Sequence, residues 1–373
     1  MNIIQLRKLY YDEVVRCNRC GFCLPSCPIY RVQRVESASP RGRNAITRAV
    51  IEERLPWSPE IEKAIFSCLG CGACTVACFP SLKTKDVVFQ YRECLVNEGL
   101  YPRIAEKLAG GIKENHNISD EDNEERGDLP DDAFEKEHAD LIYFVGCVSS
   151  FFPMAQKIPL NMAKIMEKGK VDFTILGGEE WCCGFPLIGA GMSERIEDLM
   201  EHNMKKVTDV GAKKIVFSCP SCYHTWKNLY KPQVEILSSS ELLEQMILEK
   251  RISLKEINAT VTYHDPCDLG RNSGIFDPPR EVLKAIPGIR LIELPNNRQM
   301  SICCGGGGNL EMVDPDLSGE VAQMKIEEIK NTGADLVVSS CQQCLRTIAT
   351  RARRQKIDLV VKDITDLVAE AMA

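Results

Sequence analysis

Cys-Cys-Gly occurs twice in this chain, and the cysteines around it recur with it. In both copies 34 or 35 residues separate a single cysteine from the pair, and the same number separates the glycine from a Cys-x-x-Cys sequence. The first copy contributes Cys147, Cys182, Cys183, Cys219 and Cys222. The second contributes Cys267, Cys303, Cys304, Cys341 and Cys344. Adjacent Cα atoms are only about 3.8 Å apart, which disfavours a disulfide within either pair. The duplication predicts two copies of one structural unit, each with five thiols.

Short apolar runs rich in β-branched residues lead to the cysteines in both copies. In the first copy, residues 141–145 and 214–218 precede the single cysteine and the Cys-x-x-Cys sequence, and residues 155–168 between them have helical spacing. The second copy repeats this order. Alternation of strand and helix predicts a parallel sheet, whose ligand sites lie beyond the carboxyl ends of the strands. We therefore expect the thiols of each copy at that edge of a sheet.

Eight further cysteines form two runs with the spacing Cys-x2-Cys-x2-Cys-x3-Cys near the start of the chain. In bacterial two-cluster ferredoxins with this spacing, the fourth cysteine of each run ligates the iron–sulfur cluster of the other run. We therefore predict two cubane [4Fe–4S] clusters. The ligands predicted for the first are Cys17, Cys20, Cys23 and Cys78, and those for the second are Cys68, Cys71, Cys74 and Cys27. Structural zinc is the alternative, although zinc prefers two separated Cys-x-x-Cys pairs.

The chain is predicted to be α/β overall, with an N-terminal helical part. The two ferredoxin runs are 40 residues apart, and residues 41–53 between them have the apolar spacing of a helix. We therefore expect a helical ferredoxin-type domain with two [4Fe–4S] clusters at 1–110. An acidic stretch at 111–138 with few apolar residues predicts a surface linker. The two tandem α/β repeats with parallel strands then occupy 139–258 and 259–373.

Composition helps to decide what the cysteines bind and which kinds of partner the chain has. The chain has 19 cysteines in 373 residues, an odd number, and we expect no secretory signal at its start. Metal binding in the cytoplasm explains this better than a disulfide framework. The net charge of −7 argues against nucleic acid as a partner. Since no apolar run reaches the roughly 20 residues of a membrane span, attachment to the cytoplasmic membrane face would need a partner.

Two ferredoxin runs followed by two Cys-Cys-Gly copies resemble the fused iron–sulfur subunit of heterodisulfide reductase. The arrangement is equally similar to the iron–sulfur subunits of glycolate oxidase, L-lactate dehydrogenase and anaerobic glycerol-3-phosphate dehydrogenase. The resemblance covers nearly the whole chain outside the linker, and both copies retain the five cysteines of the CCG domain. It implies that the ferredoxin half conducts electrons and that the CCG copies hold one or two further [4Fe–4S] clusters, of the non-cubane kind. Zinc in the CCG copies remains an alternative.

The chain contains no flavin or nicotinamide fingerprint, so oxidation of a substrate such as a 2-hydroxy acid would need a separate flavoprotein. We therefore expect an iron–sulfur electron-transfer subunit of a multisubunit oxidoreductase. Its expected partner is a FAD-linked oxidase or dehydrogenase, and a membrane subunit is a further candidate.

The alternative is a catalytic disulfide reductase with the second CCG copy as its active site. Its candidate catalytic residues are Cys303, Cys304 and His264. The two cysteines are candidates because the glycines that follow them have no side chains that would block a substrate. The imidazole would either donate protons or orient a neighbouring ligand. Arg271 and Arg280 are candidates for binding an anionic substrate, and ordinary ion pairs within the protein are the alternative.

Overall fold

The computed structural model describes residues 1–127 and 134–372. The chain folds into two compact units, each built from three separate stretches. The first unit comprises Met1–Ala109, Pro186–Arg195 and Asn296–Lys325. The second unit comprises Gly110–Phe185, Ile196–Pro295 and Ile326–Ala373. The segments that follow the two Cys-Cys-Gly turns therefore belong to the unit that contains the ferredoxin runs, which the domain boundaries drawn from the sequence did not anticipate.

The ferredoxin part is helical, as predicted. Its helices are Ile3–Val15, Pro28–Gln33, Pro40–Ile51, Pro59–Phe66, Ala73–Val76, Thr84–Asn97 and Arg103–Asn115. Three of these begin with proline, whose fixed φ suits the first turn of a helix, where an N–H group is not needed. Ser39 caps the helix Pro40–Ile51 by accepting a hydrogen bond from the N–H of Gly42. The helices bury an apolar core that includes Leu6, Ile65 and Leu95.

Two four-stranded parallel sheets form the framework of the second unit. The first contains β1 (Leu141–Phe144), β2 (Phe173–Thr174), β3 (Lys214–Phe217) and β4 (Glu235–Ser238), in the order β2-β1-β3-β4. The second contains β5 (Ala259–Tyr263), β6 (Ile289–Glu293), β7 (Leu336–Ser339) and β8 (Val360–Asp363), in the order β6-β5-β7-β8. All pairings are parallel. The identical strand order confirms the predicted repeat of one α/β unit.

Helices connect the strands and contribute most of the remaining ordered structure. They are Cys147–Phe151, Lys157–Lys168, Phe185–Gly189, Glu197–Val210, Pro220–Thr225, Ser239–Leu248, Asp277–Ala285, Leu310–Val313, Pro315–Lys330, Gln342–Arg354 and Ile364–Met372. The two repeats share one apolar core, to which Met166 of the first and Leu367 of the second both belong. In the described part of the chain, no helix has the length and apolar character needed to cross a membrane.

The acidic stretch at 111–138 differs from the exposed linker that its composition predicts. The helix Arg103–Asn115 extends into it, and Asn117, Asn123 and Arg126 are buried. The Asn123 side-chain amide donates to the backbone carbonyl of Glu180 at 3.0 Å. Buried polar side chains of this kind need such partners, so the stretch is tied to the protein despite its charge. Residues 128–133 of the predicted linker lie outside the described residues.

Candidate iron–sulfur sites

The four thiols predicted to hold the first ferredoxin cluster surround one small cavity in the first unit. Cys17, Cys20 and Cys23 line it together with Cys78 from the second run, and Cys74 of the other set also reaches it. Burial raises the pKa of the Cys23 thiol to about 11, and the neighbouring thiols of Cys17 and Cys78 add to the increase. The fourth cysteine of one run therefore lies beside the first three of the other, which is the arrangement that shared ligation requires.

The second predicted set also comes together. Burial raises the pKa of Cys74 well above its usual value, and the nearby thiols of Cys68, Cys71 and Cys27 raise it further. Cys27 lies at the start of the helix Pro28–Gln33, so the end of the first run is brought to the second. In both groups every predicted ligand atom is a cysteine sulfur. Cysteine thiolates are the usual ligands of [4Fe–4S] clusters. The residues present therefore fit the group that the sequence predicts.

The glycine-rich turn of the second copy packs against the second ferredoxin run, and both belong to the first unit. A Cβ atom on Gly307 would lie 2.7 Å from the carbonyl oxygen of Leu69, and one on Gly308 would lie 2.6 Å from that of Cys68. Arg92 donates hydrogen bonds to the carbonyls of Gly308, at 3.1 Å, and Cys68, at 2.5 Å. Glycine is therefore required here because two backbones approach each other closely.

The five thiols of the first CCG copy form one hydrogen-bonded chain within the second unit. The neighbouring pairs are Cys147–Cys182, Cys182–Cys183, Cys183–Cys222 and Cys222–Cys219. The contacts with Cys182 and Cys222 lower the pKa of Cys183 to about 6. The contact with Cys222 likewise lowers the pKa of Cys219. Metal binding at this group requires deprotonated cysteines.

A buried ion pair that the sequence analysis missed lies beside this group. Arg126 donates to Glu180 at 2.7 Å, and its other terminal nitrogen lies 3.6 Å from the sulfur of Cys147. Glu180 also accepts hydrogen bonds from the backbone N–H groups of Val145 and Gly146. The pair fixes the loop that carries Cys147. The position of Glu180 just before the Cys-Cys pair could have indicated a role near the thiols. Nothing in the sequence indicates such a role for Arg126, which lies in an acidic stretch.

Three stacked rings also flank the first copy. Trp181, which precedes Cys182, lies between His116 and His202, with ring centroids 3.5 and 3.6 Å apart and planes within 4° of parallel. The backbone N–H of Cys182 donates to the carbonyl of His116 at 2.7 Å. Burial, together with the neighbouring His202, lowers the pKa of His116. The stack therefore orients the first residue of the Cys-Cys pair.

The cysteines of the second copy are divided between the two units. Cys303 and Cys304 belong to the first unit, and Cys267, Cys341 and Cys344 belong to the second, after β5 and β7. All but Cys267 are buried. The five-thiol site predicted for this copy stays a prediction.

His264 lies close to one of these cysteines. One of its ring nitrogens is within 4.8 Å of the sulfur of Cys344. The side chain is 1% exposed, and among the described residues neither ring nitrogen has a hydrogen-bond partner. Its backbone N–H donates to the carbonyl of Val338, which holds the residue at the end of the sheet. A catalytic role for His264 stays a prediction.

Hydrogen bonds connect the two copies near their cysteines, inside the second unit. Ser221, within the first Cys-x-x-Cys sequence, donates to Asp268 at 2.7 Å. Gln342, within the second, donates to the carbonyl of Val145 at 3.1 Å. Asp268 follows Cys267, and Val145 lies just before the first cysteine of the first copy. Each Cys-x-x-Cys helix therefore contacts the loop that carries the single cysteine of the other copy.

Two residues considered from the sequence have structural roles. Arg280 is buried and its guanidinium binds Asp265 at 2.7 and 2.9 Å and Glu293 at 2.6 and 2.8 Å. Arg280 therefore forms ordinary ion pairs, and its nitrogens are occupied by carboxylates rather than open to an anionic substrate. Cys94, outside every cysteine motif, is buried in the apolar core of the first unit.

Comparisons with known proteins agree with this architecture. Residues 141–227 and 261–349 match the cysteine-rich (CCG) domain family, and residues 13–81 match the 4Fe–4S dicluster domain family. A component of the dihydromethanophenazine:CoB–CoM heterodisulfide reductase of Methanosarcina mazei is 32% identical, over 96% of this chain and 94% of that protein. The probable iron–sulfur-binding oxidoreductase FadF of Bacillus subtilis is 27% identical, over 96% of this chain and 60% of that protein. The EtfAB:quinone oxidoreductase of Syntrophomonas wolfei is 25% identical, over 95% of this chain and 58% of that protein.

A solved structure also shares the fold. A hypothetical protein from Helicobacter pylori aligns with 100% of this chain and 77% of its own, with a TM-score of 0.62 and 11% identity.

A dicluster ferredoxin domain followed by tandem CCG domains defines an iron–sulfur subunit of an oxidoreductase. The chain belongs to the family that contains this heterodisulfide reductase component and related iron–sulfur oxidoreductase subunits. This confirms the resemblance drawn from the cysteine spacing.

Proposed function

We propose that this chain transfers electrons within a multisubunit oxidoreductase, between a flavoprotein partner and a second acceptor. Two cubane [4Fe–4S] clusters would bind to the ferredoxin cysteines in the crossed arrangement predicted from their spacing. One or two further clusters, of the non-cubane kind, would bind to the CCG cysteines. Iron–sulfur clusters, when bound, accept and release electrons singly over a wide range of potentials.

The close packing of the glycine turn on the second ferredoxin run carries this proposal. Gly307 and Gly308 bring the segment after Cys303 and Cys304 against the backbone of Cys68. Arg92 holds both backbones by their carbonyl oxygens. Electron transfer needs short, fixed separations between redox groups, and these contacts supply a rigid connection between two sets of predicted ligands.

A flavoprotein is the proposed partner because the chain has no flavin or nicotinamide fingerprint of its own. The name of one relative, the EtfAB:quinone oxidoreductase, refers to EtfAB and a quinone as its redox partners. By analogy, this chain would receive electrons from a separate redox protein, and we propose that this protein carries the flavin. A membrane subunit remains a second proposed partner.

The test begins with protein purified without oxygen. We expect about 12 to 16 irons per chain, four for each of three or four clusters, and EPR signals from two ferredoxin-type clusters after reduction. The flavoprotein partner is identified by copurification and then reduced. It should reduce the clusters of the unmodified chain faster than those of the Cys17→Ser variant. Zinc in place of iron, or equal rates for both proteins, would refute the proposal.

Reduction of a disulfide is the second candidate function. It is favoured by the match to the heterodisulfide reductase component over 94% of that protein. The reaction would consume two electrons and two protons and release two thiols for each disulfide cleaved. His264 is the proposed source of one proton, because it is buried near Cys344.

The second candidate is tested with the isolated chain and reduced methyl viologen as the one-electron donor. Oxidation of the dye that depends on an added disulfide is the expected result. Cys304→Ser should abolish this oxidation while leaving the EPR signals of the ferredoxin clusters intact. Dye oxidation that persists in Cys304→Ser would exclude Cys304 as a catalytic residue.

A further inference from the structure

Two fully buried arginines in the first unit have only uncharged hydrogen-bond acceptors among the described residues. Arg92 is 0% exposed and Arg43 is 1% exposed. Arg43 donates to the carbonyl of Ala64 at 2.7 Å and to the hydroxyl of Ser67 at 2.9 Å. Both guanidinium groups therefore lie in the protein interior without a carboxylate among these partners.

The partners of Arg92 come from three segments of the first unit. Its nitrogens donate to the carbonyls of Ile65, Phe66, Cys68, Gly189 and Gly308. The guanidinium carbon also lies 5.1 and 5.0 Å from the ring centres of Phe66 and Phe89. These contacts satisfy the N–H groups, but they supply no negative charge that would neutralise the cation.

The other buried arginines are neutralised by carboxylates. In the second unit, Arg126 forms an ion pair with Glu180 at 2.7 Å, and Arg280 forms one with Asp265 at 2.7 Å. Burial of a charge without a counter-charge is strongly unfavourable. The contrast indicates that the region around Arg43 and Arg92 contains a negative charge of another kind.

The second ferredoxin group lies beside both arginines and is a source of negative charge. Arg92 donates to the backbone carbonyl of Cys68 at 2.5 Å, and Arg43 donates to the hydroxyl of Ser67, the residue before Cys68. Cys68 is a predicted ligand of the second cluster. Both guanidinium groups are therefore held at the segment that carries this ligand.

We propose that Arg43 and Arg92 are the counter-charges of the iron–sulfur cluster on Cys27, Cys68, Cys71 and Cys74 and that they raise its reduction potential. The inference rests on the proposed function, because it requires that the cluster be bound there. Reduction adds one negative charge, which burial disfavours and two adjacent cations favour. The arginines would thereby let a buried cluster accept an electron beside the glycine turn.

The experiment is a redox titration of both ferredoxin clusters, followed by EPR in oxygen-free, iron-loaded protein. Arg92→Gln removes the charge but keeps hydrogen-bond donors, whereas Arg92→Lys keeps the charge. In Arg92→Gln we expect the potential of one cluster to fall, with a tenfold or greater loss in its equilibrium constant for reduction, equivalent to about 59 mV for one electron. The other cluster should be unchanged, and Arg92→Lys should restore most of the loss.

Arg48→Gln provides a matched control, because Arg48 lies on the same helix as Arg43 but pairs with Glu52. It should leave both potentials unchanged. If Arg92→Gln does not retain its clusters, the same titration is made with Arg43→Gln and Arg43→Lys in place of the two Arg92 variants. Unchanged potentials in the neutral variants, or an equal fall in the glutamine and lysine variants, would overturn the proposal. Absence of the clusters from the unmodified protein would instead refute the proposed function, so the two failures are distinguishable.

Discussion

Replacement of Gly308 by alanine tests whether the glycine turn is held tightly against the ferredoxin run. A Cβ atom at this position would lie 2.6 Å from the carbonyl oxygen of Cys68 and 2.8 Å from the carbonyl carbon of Leu69. Such separations are shorter than any van der Waals contact, so one backbone must move. Gly308 also has a φ of +59°, which alanine adopts only at a cost.

These two effects can be separated with other glycines. The left-handed backbone costs alanine about 1 kcal/mol, and overpacking of a tight contact costs about 1–3 kcal/mol. Gly333 has a φ of +69° with nothing within 4 Å of a Cβ atom, so Gly333→Ala measures the backbone effect alone. Gly307→Ala measures the close contact alone, because Gly307 lacks a positive φ but its Cβ would lie 2.7 Å from the Leu69 carbonyl oxygen.

We expect Gly308→Ala to lower the free energy of unfolding by about 2–4 kcal/mol, the approximate sum of the two effects. Gly333→Ala should lower it by about 1 kcal/mol, and Gly307→Ala by about 1–3 kcal/mol. Urea unfolding of the oxygen-free protein, followed by circular dichroism, measures the three variants under one set of conditions. Equal losses in Gly308→Ala and Gly333→Ala would show that the turn does not press on the ferredoxin run, and the reasoning would fail.

Three further predictions concern the buried ion pair and single cysteines. Glu180→Gln leaves Arg126 without its counter-charge and should lower the free energy of unfolding by about 3–5 kcal/mol in urea; a loss below about 1 kcal/mol would contradict the proposed role of the pair. Cys78→Ser should weaken the same EPR signal as Cys17→Ser, and effects on two different signals would disprove the crossed ligation. Burial raises the pKa of Cys94 to about 12, so its thiol stays neutral; Cys94→Ala should leave the iron content unchanged and cost about 1–2 kcal/mol, whereas loss of about four irons would identify Cys94 as a ligand.

Much of the local architecture was predictable because it depends on neighbours in the sequence. The helix predicted over 41–53 is found at Pro40–Ile51, and the strand predicted over 214–218 is found at Lys214–Phe217. Hydrophobic periodicity and β-branched runs are enough for these elements, because each has one face toward an apolar core. The repeat of the cysteine pattern was likewise enough to predict two copies of one α/β unit with parallel strands, whereas the strand order came from the structure.

Composition gave a wrong prediction for the segment at 111–138, because a few buried polar contacts hold this mainly acidic segment against the protein. The acidic stretch that contains Arg126 has the composition of a linker, yet this one side chain reaches Glu180 and the sulfur of Cys147. For a related reason the sequence left two roles open for Arg280, an anion-binding residue or a partner in ordinary ion pairs. Its carboxylate partners, Asp265 and Glu293, are 15 and 13 residues away and are brought to it by folding.

The sequence by itself determined the class of this protein, because the spacing of its cysteines identifies an iron–sulfur oxidoreductase subunit and predicts which residues act as thiolate ligands. Only the tertiary structure decided the electrostatic surroundings of those ligands. Arg43 and Arg92 meet the second ferredoxin group, and Arg126 meets Cys147, through contacts between residues far apart in the chain. Such contacts depend on how helices and turns pack, and a charge acts strongly only where packing has excluded water.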